Sequence, residues 1–141
     1  MEEKQDNEKK AQQMYLEFQM LDQHIKQLQR QLELVTQQLM ELNVTSHSLE
    51  DLNKTQSGKE IFVPVSSGIF AKASLKDTSE LLVNVGANVV VSKDIESTKK
   101  LISDQLEEVK KLHNNLVQEL ERMTNHAAQL EVQLQKLVSS Q

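Results

Sequence analysis

The side chains that could do chemistry in this 141-residue chain are few and poorly placed for it. Four histidines, His24, His47, His113 and His126, are the only imidazoles. They are spread over the chain with no HExxH or other ligand spacing, so neither a metal centre nor a His-based proton relay is expected. His113 alone interrupts an otherwise apolar repeat, where a polar residue commonly fixes helix register. The chain has no cysteine. That removes disulfides, thiol nucleophiles and zinc knuckles together and fits a reducing compartment, with cytoplasm as the default. Ser66-Ser67-Gly68 lacks the G-x-S-x-G frame of a nucleophile elbow, and no lysine-containing phosphate loop occurs. Acids such as Glu107 and Glu108, close to Lys110 and Lys111, read as solvated helix pairs worth about 0.2–0.5 kcal/mol each. These residues predict no enzyme, cofactor or metal site.

The elements that would position any functional group divide into three segments. Residues 58–92 hold the only proline and a dense share of the β-branched residues, 10 of 24, between an N-terminal helix (1–57) and a C-terminal helix (93–141). In the middle segment, apolar runs are broken at Ser67-Gly68, at residues 76–79 and at Gly86-Ala87-Asn88, which predicts four short strands in two hairpins. Ile61, Val63 and Val65 alternate with Phe62, Pro64 and Ser66, and Pro64 favours an edge or irregular position. Leu81, Val83 and Val85 share a face. Val89-Val90-Val91 is apolar on both faces and needs cover on both. Fewer than about 40 residues rarely bury enough surface to fold without disulfides, metal or association. Exposed strand edges therefore predict pairing with other subunits, through Ile61, Val63, Val65, Ile69, Phe70, Leu81, Val83, Val85, Val89 and Val91.

On either side, the pattern is that of a coiled coil. Met14, Phe18, Leu21, Ile25, Leu28, Leu32, Val35, Leu39, Leu42, Ser46 and Leu49 alternate +4 and +3. Ile102, Leu106, Val109, His113, Leu116, Leu120, Met123, Ala127, Leu130, Leu134 and Leu137 repeat the same spacing. Matched heptads of this length are a strong coiled-coil signal. Joined by a small sheet, they predict an antiparallel hairpin of helices with Met14 near Leu137 and Leu49 near Ile102. Each seam spans about 50 Å at ~1.5 Å per residue, which makes a rod with the strands at one end and both termini at the other. Gly58 offers a left-handed cap for the first helix, and Ser92 to Asp94 a start for the second. Residues 1 to about 12 lack an apolar stripe and are expected to be frayed.

Composition agrees with long helices rather than a globular core: aromatics are 3% and there is no Trp. A net charge of −5 argues against nucleic acid. Acids interleaved with Lys4, Lys9 and Lys10 rule out the basic region of a leucine-zipper DNA binder. No apolar run reaches the ~18 residues of a membrane span, and Met1-Glu2-Glu3-Lys4 is no signal peptide.

Some apolar residues are not used by the seam. Tyr15, Leu16, Met20, Val132 and Val138 fall at positions that should face water, and all lie close to the termini. Exposed apolar groups with an adaptable methionine mark an interaction surface. Leu34, Met40, Val44, Leu101, Leu112 and Val117 are also off the seam and lie elsewhere.

Two matched helices around Val63-Pro64-Val65-Ser66-Ser67-Gly68-Ile69-Phe70 and the stretch from Asp77 to Val91 resemble the α-type subunit of prefoldin, of the archaeal kind. The resemblance covers essentially the whole chain and rests on the double hairpin, where β-type subunits carry one. Ser66 and Ser67 before Gly68 depart from the larger or glycine-rich turns of some relatives. The resemblance implies an α+β fold: a long antiparallel coiled-coil hairpin whose two central β-hairpins assemble into an intersubunit β-barrel. It further implies a hexamer of two α-type and four β-type subunits. The implied activity is ATP-independent capture of unfolded proteins at the coiled-coil tips, with transfer to a group II chaperonin. By the resemblance Phe18 and Leu137 join Tyr15, Leu16, Met20, Val132 and Val138 as client contacts. A structural scaffold that binds one folded partner is the alternative.

Overall fold

Two helices, α1 (Glu2–Lys54) and α2 (Ile95–Ser139), flank four strands, β1 (Glu60–Ser66), β2 (Ile69–Ser74), β3 (Leu81–Gly86) and β4 (Val89–Lys93), in a computed structural model that describes residues 1–140. The chain divides into two units. One combines Met1–Gln38 with Val109–Gln141, and the other is Leu39–Glu108.

In the first unit, every heptad-seam residue of both helices is buried or half-buried, from Met14 to Val35 and from Val109 to Leu137. Leu28 and Leu130 are the most deeply placed, at 4% and 5% exposure. A spacing of 3.5 residues keeps these side chains on one stripe of each helix, so the two stripes cover each other and the remaining faces stay in water. A contact between Glu17 Oε1 and His126 Nε2 at 3.4 Å joins the two helices beside the stripe. Helix α1 begins at Glu2 and so includes the first twelve residues, although they lack an apolar stripe. Glu2 and Glu3 in the first turn complement the helix dipole, and Glu, Lys, Gln and Ala are strong helix formers. Asn7 and Ala11, both half-buried, carry the seam spacing one heptad back.

In the second unit, Leu39, Leu42, Ser46 and Leu49 continue the α1 stripe, and Ile95, Thr98, Ile102 and Leu106 the α2 stripe. The buried Thr98 hydroxyl donates to the Asp94 carbonyl at 2.7 Å, so its burial leaves no unpaired polar atom. Lys99 bridges to Glu50 of α1 at 2.8 Å. That contact holds the Glu50 carboxyl below its ordinary range and lifts the Lys99 ammonium above its own.

The end of the first helix differs from the sequence expectation, and the start of the second falls within the expected range, at Asp94. Gly58 is left-handed (φ 88°), but it lies beyond the last turn of α1. Its N–H donates to the Leu75 carbonyl at 2.6 Å, and the Leu75 N–H donates to the Lys59 carbonyl at 2.9 Å. Gly58 therefore opens the first hairpin rather than capping the helix. At the start of α2 the cap is the Asp94 carboxylate, which accepts the Ser97 N–H at 2.7 Å. The Ser92 hydroxyl instead donates to Glu80 at 2.5 Å.

The strands form two separate two-stranded sheets. β1 and β2 are antiparallel, with Ile61 opposite Ala73, Val63 opposite Ala71 and Pro64 opposite Phe70, and with a register shift between Pro64 and Ser66. β3 and β4 repeat this twenty residues later: Leu81 is opposite Lys93, Val83 opposite Val91 and Asn84 opposite Val90, with the shift between Asn84 and Gly86. Val65 and Val85 are the extra residues. Pro64 has no N–H to give a ladder and borders the irregularity, which is where a proline is tolerated. The turns differ. Gly68 is left-handed (φ 77°), whereas Ala87 (φ 50°) and Asn88 (φ 59°) both are, as the tight primed turns of two-residue hairpin loops require.

Two outcomes follow from this packing. Leu28→Ala and Leu130→Ala should each lower unfolding free energy in urea by about 2–3 kcal/mol, whereas Leu34→Ala, at a position 66% exposed, should change it by less than about 0.5 kcal/mol; an equal loss at Leu34 would place the seam wrongly. Asp94→Ala should lower the melting temperature at neutral pH, with Asn, an equally good cap, restoring most of it. The Ser97 N–H holds the Asp94 carboxyl below its ordinary value in the folded state, so the cap's contribution is present above about pH 4 and disappears as the folded carboxylate is protonated. The deficit of the Ala variant should accordingly shrink in acid.

Candidate functional site

Apolar side chains left uncovered by the two-helix seam concentrate at the end of the first unit that holds the termini. Tyr15, Leu16 and Met20 on α1 and Val132 and Val138 on α2 are each more than half exposed. They are exposed because a single stripe per helix is all that one partner helix can cover. Phe18 and Leu137 are half-buried seam residues, so they contribute only an edge to any surface.

Part of this set converges. Tyr15 and Phe18 of α1 and Leu134 and Val138 of α2 line one open groove, rimmed by Glu131, Gln135 and Ser139. Leu16 joins Tyr15 and Leu134 on an adjoining depression that also touches Ala11 and Gln12. Tyr15 and Leu134 thus belong to both. Met20 follows Leu16 one helical turn along α1. Val132 stands apart, in a shallow depression with Ala128, Gln129 and Lys136. Leu134 was read from sequence only as a seam residue. Its position one turn from Val138 was the signal that it also faces the groove.

The groove is apolar with a polar rim, and it contains no converging set of acid, base and nucleophile. What such a surface can do chemically is desolvate apolar side chains of another molecule, at ~25 cal/mol for each Å² covered. Leu34, Met40, Val44 and Leu112 are exposed as well, away from the termini.

The hairpins carry the second surface. Among the strand residues expected to mediate assembly, Ile61, Leu81, Val83 and Val91 are half-buried within the chain, while Val63, Val65, Ile69, Phe70, Val85 and Val89 are exposed. Three others are exposed as well: Phe62 (68%), Leu82 (78%) and Val90 (55%). The set drawn from sequence leaves these three out because period-2 alternation assigned Ile61 and Leu81 to the apolar face. The unbroken run Val89-Val90-Val91 signalled that both faces are apolar.

Comparison with known proteins gives consistent matches. The model of the Prefoldin family, described as prefoldin subunit, matches residues 21–140. The chain is similar to prefoldin subunit alpha of Thermofilum pendens, 31% identical over 87 residues that cover 62% of this chain and 67% of that protein. It is also similar to prefoldin subunit alpha of Methanobrevibacter smithii, 37% identical over 76 residues that cover 54% and 51% respectively. The matched stretch spans between about half and two thirds of these relatives. A chain of the filamentous PFD of Methanocaldococcus jannaschii, solved by cryo-EM, has the same fold: TM-score 0.67 over 88% of this chain and 97% of that one, at 19% identity.

Exposure at the groove has a measurable consequence. Tyr15→Ser and Val138→Ser should leave urea stability within about 0.5 kcal/mol of the parent, whereas Phe18→Ser, at a seam position, should lower it by about 2 kcal/mol or more. A large loss from Tyr15→Ser would make that ring part of the packing rather than of a free surface.

Proposed function

Because this chain belongs to the prefoldin family, we propose that it is the α-type subunit of a chaperone that captures unfolded proteins at the terminal ends of its helices, without ATP, and hands them to a group II chaperonin. Family membership itself implies a chaperone-type role in assembly with other prefoldin subunits. The finer statements rest on the two surfaces described above. The observation that carries the reading is the apolar groove of Tyr15, Phe18, Leu134 and Val138, continued by Leu16 and Met20.

Unfolded chains expose scattered apolar segments without fixed shape. A shallow, polar-rimmed groove binds any one of them weakly, and several such grooves on one assembly add through effective concentration. Breadth of clients follows from the same lack of shape, since a deep pocket would discriminate and a Met-bearing surface repacks. No step in this scheme needs a nucleotide or a titrating group.

The hairpins supply the assembly. A single chain holds only two separate two-stranded sheets, so a closed barrel can arise only between subunits. The proposed assembly is the hexamer of two α-type and four β-type subunits, in which Val63, Val65, Ile69, Phe70, Val85 and Val89 become buried at joints. The proposed setting is the cytoplasm; among the described residues no helix is long and apolar enough to cross a membrane.

The test is reconstitution with a β-type prefoldin subunit, followed by light scattering from a chemically unfolded, unrelated protein in the absence of ATP. The parent complex should keep the client soluble. Replacing Tyr15, Leu16, Met20, Val132 and Val138 together by Ser should reduce protection to background while the complex keeps its mass. Loss of the complex would assign these residues to structure. Retained protection would move client binding elsewhere, and a complex that binds one folded protein but ignores unfolded ones would indicate a scaffold.

A further inference from the structure

The groove at the helix ends lies on one flank of the seam, and the two flanks differ in charge. With Phe18 and Leu134 at heptad position a, Tyr15, Glu131 and Val138 all fall at e, whereas Glu17 and His126 both fall at g. Positions e and g border the apolar stripe on opposite sides, and antiparallel helices bring e beside e and g beside g. The contacts agree. Tyr15, Glu131 and Val138 line one groove, and Glu17 meets His126 on the other flank.

Glu131 is the single charge among the residues lining the groove; the rest of the rim, Gln135 and Ser139, is neutral. The adjoining depression around Leu16 has no charged lining residue. Glu131 is exposed and, among the described residues, forms no ion pair. Two further acids, Glu8 and Asp22, stand at e one heptad to either side of Tyr15, and Asp22 is already engaged by Lys26 at 3.0 Å. Of the other nearby cations, Lys9 lies one heptad before Leu16, Lys10 falls at g on the opposite flank, and Lys136 lines the separate Val132 depression. An apolar groove bordered by a free carboxylate complements an apolar segment that ends in a cation and repels one that ends in an anion. Tyr15 adds an aromatic ring to the same groove, and Lys and Arg are drawn to such rings as well.

We propose that this groove selects among unfolded segments by charge: it takes an apolar stretch bordered by Lys or Arg in preference to the same stretch bordered by Asp or Glu, and Glu131 sets that order. The inference rests on the client-capture reading and deepens it. Apolar contact supplies the binding, and charge ranks the segments bound. Natural sequences flank their aggregation-prone apolar stretches with charged residues, so clients carry the discriminating group right beside the segment that needs cover. Because Glu131 is exposed, the discrimination is modest, about threefold to tenfold at low salt.

The test uses the complex reconstituted with a β-type subunit and three synthetic peptides that share one apolar core and a photoreactive group but carry Lys, Gln or Glu at both ends. Label on this chain alone, counted by mass spectrometry over a range of peptide concentrations, gives an apparent Kd for each peptide. The parent should bind the Lys peptide tightest and the Glu peptide weakest, about threefold to tenfold apart at low salt, and the spread should close as salt is raised. Glu131→Gln should bring the three peptides within about twofold of one another, and Glu131→Lys should reverse the order, with melting unchanged in both because the side chain is exposed. A parent that takes up all three peptides equally, or an order that survives both substitutions, would overturn charge selection and leave client capture standing. Absence of label with every peptide would overturn client capture at these helix ends, and the selection with it.

Discussion

A two-stranded hairpin has two faces and two edges, and nothing in this chain is large enough to cover both hairpins. That shortage organises the molecule. Helices α1 and α2 satisfy each other along a single stripe and leave no spare apolar face to lay over the strands. Phe62, Phe70, Leu82 and Val90 consequently stay exposed within the single chain. The fold is therefore stable in its helices and incomplete in its sheets.

The helix pair meets its own needs by strict economy. One stripe of 3.5-residue spacing buries Leu28, Val35, Val109, Leu116 and Leu130, and even the polar Thr98 is accommodated by a bond to Asp94. Buried polar atoms left without a partner are absent among the described residues. Because only one stripe is covered, apolar residues off it have no partner. Near the termini Tyr15, Leu16 and Val138 meet around Leu134, so the surface proposed for clients is a by-product of a seam that stops at one layer.

The sequence was most readable where one physical rule acts alone. Heptad spacing located every seam position from Met14 to Leu49 and from Ile102 to Leu137, and turn residues located all four strands. It failed where two rules compete. The stretch from Glu2 to Gln12 has no apolar stripe, yet intrinsic helix propensity and the neighbouring seam carry α1 through it. Gly58 has the left-handed backbone of a helix cap, but long-range bonding to Leu75 sets its role. The repeat of the two hairpins was hidden because Pro64 is matched by Asn84, Ser66 by Gly86 and Lys72 by Ser92; only ladder register reveals it. At the candidate surfaces, Tyr15, Leu16, Met20, Val132 and Val138 could be singled out from position alone. Which of them share a groove depends on how two helices face each other, and pattern does not encode that.

The central claim is a division of labour between sheet and helix ends: hairpins join subunits and termini hold clients. Hydrogen exchange on the assembled complex, with and without a bound unfolded protein, tests it most directly. The account predicts that assembly protects residues 60–93, and that client binding adds protection only around residues 11–20 and 130–138. Client-induced protection confined to the hairpins, with the helix ends unchanged, would contradict it.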